Sequence, residues 1–238
     1  MPPIVAKTSL VLLNQYDSSS AFKTFKPGRE SDALDSSTFG TAAKTFLAGL
    51  KQGSIQLEGF FDKTLLSGID AILTAAFGAA EIITSLVQES PSIGVRALLM
   101  NADQSKYEVG SPLGQIIMST AEMHAADNGL ESGVLLHLPS TLETATANAT
   151  SVDNGAASTN GAVAHLHLTQ ITGLNVTVIV QHSTDNSTWV DLFTFTAASA
   201  ITSQRLSVTG TVNRYRRVRT VVNSGSGNCN HAVTFAHR

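Results

Sequence analysis

Two histidines, one run of arginines and a few carboxylates are the residues whose types and spacing could do chemistry here. His165 and His167 stand at i and i+2, so on a strand they share a face and offer two metal ligands. No third or fourth ligand lies nearby in sequence. His182, His231 and His237 join them only through folding, and the plainer use of such a pair is a semi-buried strand face. Arg214-Tyr215-Arg216-Arg217-Val218-Arg219 is the basic cluster, with an aromatic inside it as in nucleic-acid patches. On a strand, Arg217 and Arg219 point one way while Arg214, Arg216 and Val218 point the other, which splits the patch. Pairing with acidic groups, within or between subunits, is the expected role. Asp185 falls in a turn and Asp191 on the next strand, and nothing fixes the separation a glycosidase pair needs. Trp189 follows that turn, placed either to stack on a sugar or to plug a core. GxSxG, phosphate-loop, HExxH and CxxC motifs are absent. The chain therefore reads as a non-enzyme, with no catalytic residue, no metal and no cofactor assigned.

The elements must then explain the chain. Its 238 residues suffice for one large all-β domain or two small ones. Charged residues are only 14%, against about a quarter in typical soluble domains, which hints at surface hidden in an assembly. Net charge is −3, which excludes strong nucleic-acid binding by bulk charge. The balance is uneven: residues 1–150 hold 15 acidic and 9 basic side chains, residues 151–238 hold 3 and 6. Cys229 is the single cysteine, so packing or assembly must supply stability. The start MPPIVAK has no signal-peptide pattern, and the longest apolar stretch, near 71–80, is too short to cross a membrane. A cytoplasmic or particle-bound chain is expected.

Along the chain, 9–15 reads as a buried strand and 22–25 as its partner. The polar, turn-rich 27–37 reads as a long loop. Runs 44–50 and 54–60, split by Lys51-Gln52-Gly53, read as a β-hairpin whose second strand alternates Ile55, Leu57 and Gly59 with Gln56, Glu58 and Phe60. The one helix is expected near 63–80, capped by Asp62, with Leu65, Leu66, Ile69, Ile72, Leu73 and Phe77 as its apolar face and Gly78 at its end. Strands follow at 82–87, 95–100, 115–123 and 133–138. Residues 141–161 are nearly free of large apolar side chains and read as a linker or long surface loop. Strands at 162–170, 175–182, 188–196, 203–208, 212–221 and 232–236 recur about every ten residues, as in a sandwich or barrel. The class is mainly β with one substantial helix.

The segment from Ser36 to Asp62 carries the most specific signal. Ser37-Thr38-Phe39-Gly40, Lys44-Thr45-Phe46, Gly49-Leu50-Lys51, Gly53 and Glu58-Gly59-Phe60-Phe61-Asp62 resemble, in that order, the major tail proteins (tail tube subunits) of long-tailed bacteriophages, especially those of actinobacterial hosts. Gly110-Ser111-Pro112-Leu113-Gly114, the run from Gly129 to Leu136 and the stretch from Gly210 to Tyr215 resemble later parts of the same subunits. The resemblance covers most of the chain and rests on the order of its motifs.

It implies a β-sandwich or barrel tube fold over 1–140 with a flanking helix near 63–80, a linker or loop at 141–161, and a β-sandwich-like region at 162–238. That last region either completes the tube fold or forms an exterior module. It implies a structural virion protein, assembled in the host cytoplasm, whose stacked hexameric rings form a tube for DNA ejection. Its partners are then copies of itself, the tape measure, terminator and distal tail proteins, and genomic DNA in passage, with no membrane insertion. Subunit-interface candidates are Phe39, Gly40, Lys44, Phe46, Gly49, Lys51, Gly53 and Phe60. The loop expected to reach a neighbouring subunit or the next ring holds Lys26, Arg29, Glu30, Asp32 and Asp35. Gln56 and Glu58, on the polar side of their strand, face either the lumen, where like charge keeps DNA from sticking, or solvent elsewhere. Two alternatives stand: another virion component, such as a decoration or tail terminator protein, and a carbohydrate-binding β module using Trp189.

Overall fold

The protein is described by a computed structural model covering residues 8–40, 42–63, 68–78 and 81–238. Among these the elements are β1 Leu10–Leu13, β2 Tyr16–Asp17, β3 Phe22–Asp35, β4 Phe46–Phe60, α1 Ile69–Ala76, β5 Ile82–Val87, β6 Arg96–Gly110, β7 Met118–Ala125 and β8 Glu131–His137. Then follow β9 Leu142–Glu143, β10 Ala147–Asn148, β11 Val152–Asp153, β12 Ala162–Ser183, β13 Val190–Thr194, β14 Thr202–Val208 and β15 Tyr215–His237. The class is mainly β, and the strand ladders are antiparallel. No helix among the described residues is long and apolar enough to cross a membrane. The chain divides into two compact units. The first comprises 8–20, 83–99 and 131–238; the second comprises the described residues of 21–82 and 100–130.

The first unit is built on β12 and β15, paired from Ala162↔His237 to Ser183↔Tyr215. β14 and β13 border β12, and β8 borders β15. The apolar residues of early β12 serve two cores, because alternate side chains point to opposite faces. Ala162, Ala164 and Leu166 join Phe193, Phe195, Val218 and Phe235 in one cluster. Val163 joins Leu10, Leu12, Leu99, Leu135 and Ala236 in the other. Both faces are covered, so this strand reads as a nearly unbroken apolar run. The sequence predicts two strands in each half of this pair, but each half is one long strand. The Gly- and Asn-rich breaks carry register shifts rather than turns. Gly173 has φ +66°, and a Cβ there would sit 2.3 Å from the Ser226 carbonyl oxygen, so glycine lets the two backbones close up. Residues 141–161 contribute β9, β10 and β11, each paired to β15.

The second unit is a sheet in the order β3-β4-β7-β6, with residues 102–110 of β6 paired to β7. Helix α1 ties to β6. Gln104 donates to the Leu73 carbonyl at 3.0 Å, and the Tyr107 hydroxyl donates to Asp70 at 2.6 Å. Ile69, Leu73 and Ala76, at i, i+4 and i+7, are buried, as are Ile55, Leu57, Ala121 and Met123 on the strands.

Three expectations are corrected here. The segment 27–37 is no loop: β3 runs through it, with Pro27 opposite Ile55 and Arg29 opposite Gly53. The chain does not turn at Lys51-Gln52-Gly53 either, since β4 is continuous and the real hairpin is β3–β4, closing at 36–45. Gly53 is needed for closeness instead of a bend, because a Cβ there would lie 2.5 Å from the Leu130 backbone nitrogen. The helix is shorter than expected and begins later than an Asp62 cap would place it. Gly68 holds the cap position, while the Asp62 backbone carbonyl accepts from Asp70 N–H. Phe77, expected on the buried face, ends the helix and is exposed. Leu65, Leu66 and the end near residue 80 lie outside the described residues.

Candidate functional site

The second unit presents two features that side-chain chemistry alone would not reveal: an arm and a polar sheet face. The arm is the part of the β3–β4 hairpin beyond β7, which pairs with β4 only from Ser54 to Phe60. Its tip is fastened locally. Ser36 N–H donates to the Thr45 carbonyl, Thr45 N–H donates to the Ser37 hydroxyl, and Ser37 N–H donates to the Asp35 carboxylate. Hydrogen bonds from the Ser37 hydroxyl and backbone hold the Asp35 carboxyl below its ordinary value. The arm carries exposed Leu34, Phe39, Phe46, Leu47 and Leu50, the last 82% exposed. These leucines and phenylalanines serve no core within the described residues.

Most sequence-derived candidates meet on this arm. Phe39, Gly40, Lys44, Phe46 and Lys51 are exposed there, as are Arg29, Glu30, Asp32 and Asp35. Gly49 faces β3, where a Cβ would come 2.8 Å from Asp32 Cβ. Three candidates fall elsewhere. Gly53 is buried in the sheet, and Phe60 lies at the far end of β4 opposite Met118. Lys26 sits on the sheet opposite Gln56.

Gln56 and Glu58 do share the polar face of the sheet. With Thr24, Lys26, Lys106, Thr120 and Glu122 they border a shallow depression of about 190 Å³. Register places Glu30, Glu58, Asp103, Glu108 and Glu122 on this face, against Lys26 and Lys106. Lys106 pairs with Glu108 at 3.0 Å, but both are exposed and the pair is worth at most about 1 kcal/mol. The face is a net acidic wall.

Sequence reasoning missed a second exposed apolar patch at the β6–β7 turn. Leu113, Ile116 and Ile117 are exposed there, near Val109 and Phe60. The signal was present as three large apolar residues around Gly114 in a turn, where polar residues are the norm.

The histidines of the first unit are structural. His167 Nδ1 donates to the Asn14 carbonyl, and its Nε2 accepts from the Ser85 hydroxyl at 2.8 Å. Ser85 also meets Thr234 at 2.7 Å. His231 stacks on His137 with ring centroids 3.9 Å apart, and His137 Nε2 lies 3.1 Å from Glu143. Among the described residues no group of three or more His, Cys, Asp or Glu is arranged to hold a metal. Burial pushes His165 and His231 well below the ordinary imidazole value and His167 down to about 4. The sign follows by linkage. Between pH 6.5 and about 4 the unfolded chain takes up protons that these buried rings refuse, so stability falls as pH falls through that window. His167 alone accounts for about 3 kcal/mol of this loss. His167→Gln is expected to flatten the stability–pH curve over the same window in calorimetric melts; an unchanged slope would contradict the assignment.

The arginines disperse, as their alternation implied. Arg214 forms two 2.7 Å bonds to Asp153, Arg216 is buried over the Phe235 ring, and Arg217 stacks over Trp189 at 4.3 Å. Asp185 accepts from Ser187 and Thr188 N–H within its own turn.

No protein-family profile matches the chain, and no curated protein matches it. Two solved structures share part of its outline. One, described as the virion of a native gene transfer agent (GTA) particle, is 12% identical with a TM-score of 0.44, over 55% of this chain and 98% of that one. The other, the tail of an empty GTA particle computed with helical refinement and C6 symmetry, is 13% identical with a TM-score of 0.41, over 54% and 97%. At that level of likeness neither bears on what this chain does.

Proposed function

We propose that this chain is a tail tube subunit of a long-tailed phage or phage-like particle. Copies join side by side into six-membered rings, as the sequence resemblance implies, and the rings stack into a hollow cylinder that conducts genomic DNA. The chain is then a non-enzymatic virion protein whose partners are itself and the other tail components.

The observation that carries this reading is the sheet of the second unit. It has a helix on one face and a net acidic surface on the other. The outer edge of β3, 14 residues long, has no strand partner among the described residues. An open edge of that length invites pairing with another chain. Pairing it with the end of β6 in a neighbouring copy joins the sheets into one continuous wall. Such a head-to-tail contact closes into a ring when its rotation divides a full turn. The acidic face then lines the bore, with Glu58 and Gln56 in it, and repels phosphates. The exposed apolar arm reaches the adjacent subunit or ring. The test is chemical cross-linking of the purified chain with separation by mass. A ladder that ends at six times the 25.0 kDa subunit is expected; a ladder that stops at one or two contradicts the ring.

A further inference from the structure

The first unit has a half-buried polar face of its own, built around the single tryptophan, and none of its residues is among the assembly candidates. Strand register sets Asp191, Gln181 and Arg217 side by side across β13, β12 and β15. The three are bonded into a ladder. The Arg217 Nε–H donates to Gln181 Oε1 at 2.9 Å, and Gln181 Nε2 donates to Asp191 at 2.7 Å. The Arg217 guanidinium carbon lies over Trp189, 4.3 Å from the ring centroid. Arg219 follows two residues on, on the same face, about 7 Å along the strand, with Asn148 opposite it on β10.

The face carries Arg214, Arg217 and Arg219 against Asp153 and Asp191. Asp191 is held by Gln181, and the neighbouring Asp153 is taken by Arg214. Arg217 bonds through Nε to a neutral amide oxygen, and Arg219 has no salt bridge among the described residues. Burial, and then the positive charge of Arg219, pull the Arg217 guanidinium below its ordinary value. Among the described residues Arg219 therefore stands without an ionic partner, beside the Arg217 guanidinium.

We infer that the Trp189–Arg217–Arg219 face of the first unit binds an acidic polysaccharide. The guanidinium fork suits a carboxylate bidentately. The planar amide of Asn148 matches sugar hydroxyls, and the indole offers an apolar body for a sugar ring. Nucleic acid fits less well. Its affinity comes from many phosphate contacts and several stacked aromatics, whereas this face has two neighbouring guanidiniums and one indole, itself already against Arg217.

Trp189 is the only tryptophan, so its fluorescence reports on this face in the full chain. Polygalacturonate is expected to change the emission saturably and with strong salt dependence, while neutral dextran at equal concentration leaves it unchanged. Arg219→Glu is expected to weaken the polygalacturonate response at least tenfold with an unaltered thermal melt. Asn148→Ala, which removes no charge, is expected to weaken it less. No response to polygalacturonate, an Arg219→Glu variant that binds as the parent does, or a tighter response to a single-stranded oligothymidylate would each overturn the inference, the last by assigning the face to nucleic acid.

Discussion

With Leu47 and Leu50 both replaced by Asp, the subunit is expected to melt at the parent's temperature and to form no rings or tubes. Both leucines are more than half exposed on the arm, so neither supports the fold. Surface changes of this kind usually alter stability by less than about 0.5 kcal/mol. An interface that buries the two side chains loses about 1.5–3 kcal/mol for each, and it must also desolvate two new carboxylates. Repeated in every subunit of a ring, that loss stops growth. Sedimentation of the double variant beside the parent checks it; polymerisation equal to the parent's removes the arm from the interface. Other substitutions separate fold from assembly less cleanly. Gln56 lies in β4 with β3 on one side and β7 on the other, so a proline there breaks ladders inside the subunit. A tryptophan at Gly49 meets Asp32 and Leu34 and distorts the arm itself.

The largest loss of stability is expected from Phe235→Ala, at about 3–5 kcal/mol. The ring is fully buried in the first unit, edge-on to Phe193 at 6.2 Å and to His237 at 5.2 Å. It also carries the Arg216 guanidinium 4.9 Å above its centroid. Arg216 is itself buried with an unpartnered Nε, and burial lowers it to about 10. Truncation therefore opens a cavity and strips a buried cation of its aromatic face. Chemical denaturation should record the loss, and at roughly 2–4 °C per kcal/mol the melting temperature should fall by about 10 °C. A change below about 1 kcal/mol would mean that the strands around Phe235 collapse to refill the site.

How much of this was legible depends on the scale of the signal. The alternation of Ile55 and Leu57 with Gln56 and Glu58 reads directly as a strand with one buried and one polar face, and that is how it folds. The helical spacing of Ile69 and Leu73 was equally plain. The arm was misread because glycine has two uses. Gly53 looks like a turn residue in sequence, yet it serves a close backbone approach that only the folded partner at Leu130 reveals. The polar run through Arg29, Glu30 and Asp32 looks like a loop because β3 is exposed there on both faces and nothing selects apolar residues. The length of β12 and β15 was hidden for a related reason: Gly173 and Gly225 mark backbone irregularities within a continuous pair. That Phe39, Phe46 and Lys51 share one hairpin was legible, because they are close in sequence whichever turn is chosen. The acidic face was not, since it needs β3, β4, β6 and β7 to be set side by side.

The most direct measurement is negative-stain electron microscopy of the purified chain, concentrated and incubated at moderate salt. Rings of six or hollow tubes with a central bore are predicted. A field of small single particles that stays unchanged with concentration, time and added tail-initiation components would contradict the tube reading.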